Sequence, residues 1–368
     1  MKEILKHILL ALAILNIPTF GLVTFNPAIG AAASALSLVA LTLYYFFVKK
    51  SKPILPLLIL GILYYSIGGL NFTGESSEFI KNIFRYFLFI ISITEVAKNT
   101  TNKEAIFYLL VGAMSIVINA LVFSDSYGRY AGFYINPNKA GLICILGFAF
   151  TYTLINKSHK LIAQFLFTIA GLATLSRYFF LMLVIINITS IFANRKNAIG
   201  LIAGAIGFIV IINTPAFELN TGRFEALRSI FSSGEIKTKT ITTEPRNETW
   251  ALYTDIILDK LFFGNGYGAL QGRGAGAMDI KVGVHNTYLM VLGESGIIPF
   301  LIIVILYLSL LFKSAKLFTT NPEYLYISIV LATALLVAHK YFYNYVVLFF
   351  TIWLYSKLHM GKNRLENE

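Results

Sequence analysis

The chain has 368 residues, 57% of them hydrophobic and 13% charged, with a mean hydropathy of +0.72. These values exclude an ordinary soluble domain and predict an all-α polytopic membrane protein. Apolar runs of about 17–22 uninterrupted residues exclude a β-barrel of alternating strands, and the net charge of +12 has no basic-aromatic soluble unit that would direct it to nucleic acid.

Apolar periodicity predicts about twelve transmembrane helices, at 4–24, 28–48, 54–70, 79–97, 104–123, 137–155, 160–175, 177–193, 197–214, 285–312, 322–338 and 341–357. Lys2 and Lys6 precede the first span as in a signal peptide. Its apolar stretch is too long for one and many spans follow, so an uncleaved helix is expected. With the N-terminus inside, Lys49 and Lys50, Lys98 and Lys103, Lys157 and Lys160, Arg195 and Lys196, Lys313 and Lys316 all fall on the cytoplasmic side. The short opposite loops near Asn26 and Asn71–Ser77 carry no Lys or Arg. That asymmetry predicts cytoplasmic termini and an external long loop. The organisation is therefore 1–214 (nine spans), 215–284 (outer loop), 285–357 (three spans) and 358–368 (cytoplasmic tail), with no internal repeat.

Ionisable residues at membrane depth cost at least ~2.5–3.5 kcal/mol each and so are functional candidates. Lys81 and Arg85 enter the fourth span from the outer side, and snorkelling would explain them. In Tyr127–Gly–Arg–Tyr–Ala–Gly–Phe–Tyr–Ile–Asn–Pro–Asn–Lys–Ala–Gly, Asn136–Pro–Asn138 reads as a capped helix start with unpaired N–H groups for an anion. Arg129 and Lys139 flank it. The competing reading is a capped helix with interfacial aromatics. Arg177, in Leu–Ser–Arg–Tyr, is either a snorkelling cation with Tyr178 as aromatic anchor or a fixed cation lining an outward cavity.

The outer loop carries Arg223, Arg228, Lys237, Lys239, Arg246, Lys260, Arg273 and Lys281, against the usual charge bias of that face. Binding an anionic, lipid-borne substrate accounts for them. Within the loop Thr242–Thr–Glu–Pro–Arg–Asn–Glu–Thr–Trp reads as a capped helix start, the helix continuing to about Phe263. Trp250, Tyr253, Ile257 and Leu261 recur on one face, as in a helix lying on the bilayer. Arg246 falls in its first turn, suited to hold phosphate oxygens unless Glu244 or Glu248 pairs with it. Gly264–Asn–Gly–Tyr–Gly268 reads as a flexible turn that lacks the lysine of a phosphate loop. His285–Asn–Thr–Tyr288 then opens the tenth span, with Glu294 about two turns in. A histidine there can act as general base or merely cap the helix. The single cysteine, Cys144, supports no disulfide, and no grouping of His, Cys, Asp and Glu has metal-ligand spacing, so no cofactor or metal is expected.

The order Gly–Phe–Tyr–Ile–Asn–Pro–Asn–x–Ala, Leu–Ser–Arg, Pro–Arg–x3–Trp, Phe–Gly–x–Gly–x–Gly and His–Asn–x–Tyr–x5–Glu–x–Gly–Ile resembles the O-antigen ligase and O-antigen polymerase superfamily across about residues 120–312. The resemblance implies a GT-C-type glycosyltransferase of the bacterial inner membrane, active on the periplasmic face. Such an enzyme moves a glycan from undecaprenyl pyrophosphate to an acceptor, without a metal. It also implies catalytic roles for His285, Arg246 and Arg177. Arg129, Asn136, Asn138, Lys139, Arg223, Tyr288 and Glu294 are the accompanying candidates for holding pyrophosphate or substrate. The compact loop favours a polymerase, whose acceptor is a second lipid-linked repeat unit; a ligase would use lipid A core. A transporter of the same lipid-linked glycan is the alternative of a different class, although its ionisable residues would lie across the midplane.

Overall fold

The computed structural model describes residues 2–48, 51–123, 128–198, 202, 245–272, 282–338 and 340–365, and for 245–248 and 360–365 the backbone alone. All regular structure among them is helical. The helices are α1 (Lys2–Ile14), α2 (Ile17–Phe20, continued as a π-turn over Gly21–Phe25), α3 (Pro27–Phe47), α4 (Leu55–Leu70), α5 (Ser76–Asn99), α6 (Asn102–Val122) and α7 (Pro137–Phe150). There follow α8 (Lys157–Ala173), α9 (Arg177–Ala193), α10 (Pro245–Asp259), α11 (Thr287–Ser295), α12 (Ile297–Lys316), α13 (Pro322–Ala334) and α14 (Tyr345–Leu365).

By length and composition α3, α6 and α12 can each cross a membrane, and α1 with Ile17–Phe25 makes a fourth candidate as a bent pair. Ile298, Leu301, Ile305, Leu308 and Phe312 form an exposed stripe down α12; Leu36, Val39, Leu43 and Phe46 form one down α3. Apolar rows of that length are stable facing lipid, and the chain is a membrane protein. Between helices, lipid gives no hydrophobic drive, so close packing holds them together. The Phe167 ring fills the space over Gly147, and the Phe179 ring that over Gly171, each nearer than any Cβ would allow.

Two predicted spans are broken. The run 4–24 stops at Asn16, whose backbone is left-handed (φ 55°), and resumes at an angle of 57°. Asn tolerates that conformation and Pro18 has no N–H to continue the ladder. The run 285–312 is two helices, α11 and α12, divided at Gly296 (φ 82°). A Cβ there would lie 1.9 Å from the Phe262 carbonyl oxygen, so only glycine fits. Of the predicted span 197–214 only Asn197, Ala198 and Ile202 are among the described residues.

Helix direction sorts the charges. At one end Lys6 Nζ lies 2.7 Å from Glu104, Trp353 donates to the Thr100 carbonyl, and Lys160 sits over the Tyr152 ring. At the other, α7, α9, α11 and α14 begin while α6, α8 and α13 finish.

Candidate functional site

Three of the helices that begin at this second end share one local design. Each is preceded by a non-glycine residue in the left-handed region, then by a capping residue: Ile135 (φ 62°) before Asn136, Leu175 (φ 45°) before Ser176, His285 (φ 50°) before Asn286. A β-branched isoleucine in that region is strained, and such strain persists where surrounding structure imposes it. The three starts are cross-linked. Arg129 donates through Nε to the Thr174 carbonyl (3.2 Å) and through Nη2 to Asn138 Oδ1 (3.4 Å), which also accepts from the Ser176 hydroxyl. The C-terminal part of α13 then joins α9 to α11. Tyr178 donates to the Val330 carbonyl (2.7 Å), Thr287 donates from its amide to Leu335 and from its hydroxyl to Ala338, and Tyr288 donates to Ala332. Arg177 and His285 are both exposed at this end.

The helix start at α7 differs from expectation. Asn136 Oδ1 accepts from the amides of Asn138 (2.9 Å) and Lys139 (3.4 Å), Pro137 has no N–H, and Ala140 is bonded to the Asn136 carbonyl. The cap has taken the donors an anion would use, leaving charge from Arg129 and Lys139 as the attraction. Tyr178 is likewise buried against α13 instead of anchoring at the interface.

Helix α10 reaches the site through its apolar face. Trp250 Nε1 donates to the Val284 carbonyl (3.0 Å) and the Tyr253 hydroxyl to Val282 (2.7 Å), so the residues leading into His285 are clamped by α10. The predicted bilayer face is therefore corrected: Tyr253 and Ile257 are buried by the chain itself, and Leu252, Leu258, Phe262 and Phe263 are the exposed apolar residues. Arg246 stands in the first turn of α10, its side chain outside the described atoms, and Arg223 lies outside the described residues altogether.

The glycine turn is a packed joint, not a flexible one. Asn265 and Gly266 donate to the carbonyls of Gly293 and Glu294, and Tyr267 to that of Gly68. Gly266 has φ 100°, and a Cβ on it would meet the Asn71 carbonyl at 2.4 Å. This turn delivers Gln271 and Tyr267 to a cavity of ≈720 Å³ lined also by Arg85, Lys139 and Lys340. Burial pushes the Tyr267 phenol up, which keeps it a neutral partner for Asn82 Nδ2 at 3.1 Å. Glu294 lies beneath, fully buried. It accepts from the Tyr64 hydroxyl, from Gln271 Nε2 (3.1 Å) and from the Leu270 amide (3.0 Å). Its carboxylate thus organises the floor instead of lining the space above.

Among the sequence candidates, Arg129, Asn138, Arg177, His285 and Tyr288 gather along one end, and Lys139 turns into the cavity. Sequence reasoning missed Asn82 and Gln271 and undervalued Arg85, whose mark was an ionisable residue two turns inside a span. Lys340 belongs to the stretch 339–343 at the outer end of the last hairpin, which reads in the sequence either as an acceptor contact or as an aromatic belt. Residues distant in the sequence do group in space: Glu3, His7 and Glu104 bring ligand atoms within 4.8 Å of one another. The Lys6 ammonium already sits 2.9 and 2.7 Å from the two carboxylates, so that grouping is an ion-pair network at the opposite end of the molecule. No protein-family model and no curated protein matches the chain.

Proposed function

We propose that the chain is a membrane glycosyltransferase that moves a glycan from a polyprenyl pyrophosphate to a hydroxyl acceptor, of the O-antigen polymerase and ligase type, acting as a polymerase. The observation that carries this reading is the convergence of three strained, capped helix starts on one end of the helix bundle, two of them tied together by Arg129 and two bearing Arg177 and the His285 segment. Cationic side chains fixed on rigid helix ends are what a departing pyrophosphate needs, because charge developing in the transition state is stabilised by groups already in place.

In this reaction the acceptor hydroxyl attacks the sugar carbon joined to pyrophosphate. The carbon–oxygen bond to phosphate breaks, and its electron pair leaves on the pyrophosphate, facing Arg177 and Arg246. His285 takes the hydroxyl proton, a role open to an exposed imidazole near neutral pH. The full reading includes twelve spans in a GT-C-like arrangement in the bacterial inner membrane, cytoplasmic termini and a site facing the periplasm. The lysines at the opposite end support that orientation.

The test is purified protein in nanodiscs with an undecaprenyl-pyrophosphate-linked repeat unit as sole substrate, products separated on a gel with and without EDTA. A ladder of lengthening glycans, abolished by His285→Ala and reduced at least about 100-fold by Arg177→Ala, is the expected result. Transfer only when lipid A core is added would make the protein a ligase. Absence of both products with the lipid still bound would sink the reading in favour of transport.

A further inference from the structure

The backbone around Gly264 knits three distant parts of the chain into one joint. Asn71, just past the end of α4, donates through Nδ2 to the Gly264 carbonyl (3.2 Å), and Asn265 and Gly266 donate to the carbonyls of Gly293 and Glu294. Gly296 lies so close to Phe262 that a Cβ on it would touch the Phe262 carbonyl. Each part brings exposed apolar side chains to this joint: Leu70 from α4, Phe262 and Phe263 after α10, and Ile298 from the first turn of α12. The two adjacent phenylalanines are 69% and 63% exposed, although burying such a ring is worth about 1.5–3 kcal/mol. Leu258, one turn before Phe262, is exposed as well. Helix α12 fixes their depth. Its 20 residues are about 30 Å long with Lys313 and Lys316 in the last turn, and the hydrocarbon layer is about 30 Å thick. With those lysines at one boundary, Ile297 and Ile298 stand at the other, so the lipid-facing stripe of α12 leads up to Phe262 and Phe263. The turn is also built for a place with little water. The carbonyls of Ile256, Lys260 and Gly264 are taken by Asn265 Nδ2 (2.8 Å), the Gly264 amide (2.8 Å) and Asn71 Nδ2, as lipid depth requires. Asp255, Asp259 and Lys260, exposed just before the phenylalanines, limit immersion to the headgroup boundary.

We propose that this joint is a membrane anchor for the outer helix α10: Phe262 and Phe263, flanked by Leu70 and Ile298, are sunk about 5–10 Å into the headgroup–acyl boundary of the adjoining leaflet. This is not the face marked by the helical stripe. Trp250, Tyr253 and Ile257 turn toward the chain, and lipid takes the end of the helix instead. The anchor sets how far α10 stands from the bilayer, and α10 in turn holds Val282 and Val284 through Tyr253 and Trp250. The bilayer surface thereby fixes the height of the segment that carries His285, whatever reaction that segment serves.

Nitroxide labels on single cysteines test it, with the full chain in nanodiscs of phosphatidylcholine and phosphatidylglycerol. Collision with oxygen, which collects in lipid, is compared with collision with a nickel chelate, which stays in water; Cys144 is buried and takes no label. Labels at Phe262→Cys and Phe263→Cys are expected to meet oxygen and to be shielded from nickel, while Thr254→Cys and Asp255→Cys show the reverse. Access of nickel to positions 262 and 263 overturns the proposal. Shielding from both reagents overturns it too, because another segment or a second copy then covers the rings. A further variant asks whether the rings hold the helix down. Adding Phe262→Ser/Phe263→Ser, at exposed positions that leave the core intact, is expected to move a label at Leu258→Cys from oxygen to nickel contact. The same change should raise hydrogen exchange in the peptide holding Val284 to Thr287. An unmoved label at Leu258 overturns the anchor, and unchanged exchange overturns its hold on the His285 segment.

Discussion

A carboxylate sealed from solvent inside a membrane protein persists only among donors, and Glu294 has the Tyr64 hydroxyl, the Gln271 amide and the N–H groups of Leu270 and Gly268. Glu294→Ala would orphan all of them, and each buried unsatisfied group costs about 1–3 kcal/mol. A fall of several degrees in the thermal unfolding temperature in detergent is the expected outcome. Glu294→Gln should fall between the two, because its carbonyl can still accept while its NH2 opposes the Gln271 donor; equal stability of all three proteins would refute this account. Glu104 makes a parallel case at the other end. It closes a capping box with Thr101 and holds the nearly buried Lys6 ammonium. Glu104→Ala is expected to cost about 1–3 kcal/mol, read by the same melt. Glu294 is visible in the sequence as a charge in apolar surroundings, whereas Glu104 follows the polar run Lys98–Lys103 and carries no such mark. The partner of Glu294 is not visible: Tyr64 lies 230 positions away, on a helix whose pattern says only that it is apolar.

At the scale of elements, apolar length and caps are strong signals in this sequence. Asn136 is a cap read from residue type, and it opens the helix that follows; Ser176 and Asn286 cap in the same way, the latter in the place where the sequence offered His285. The breaks at Asn16 and Gly296 are weaker signals, because one residue in a long apolar run outweighs hydropathy only through its backbone. The face of Trp250, Tyr253 and Ile257 teaches a different lesson. A helical stripe states that something covers it, while the identity of the cover depends on chain folding elsewhere, here on residues 282–284. This clamp predicts a division of effects. Trp250→Ala should raise hydrogen exchange in the peptide holding Val284 to Thr287 and lower glycan transfer by about ten-fold. Exchange in α6 to α8 should not change, and unaltered exchange near His285 would remove α10 from any role in presenting it.

For the molecule as a whole, helix direction separates a lysine-rich end from the end with the strained helix starts. Cys144 is buried, so single cysteines can be labelled in an otherwise silent background. In sealed inverted vesicles Lys157→Cys should react with a bulky impermeant maleimide and Ser77→Cys should not. Reaction of both from one side would reject the proposed orientation. The bent first helix has a consequence for its own crossing of the bilayer. At 13 residues α1 is about 20 Å long, against about 30 Å of hydrocarbon. The shortfall is made up by Ile17–Phe25, which runs on at 57° to it, so this crossing ends in a strongly inclined segment and takes its depth from tilt instead of from helix length.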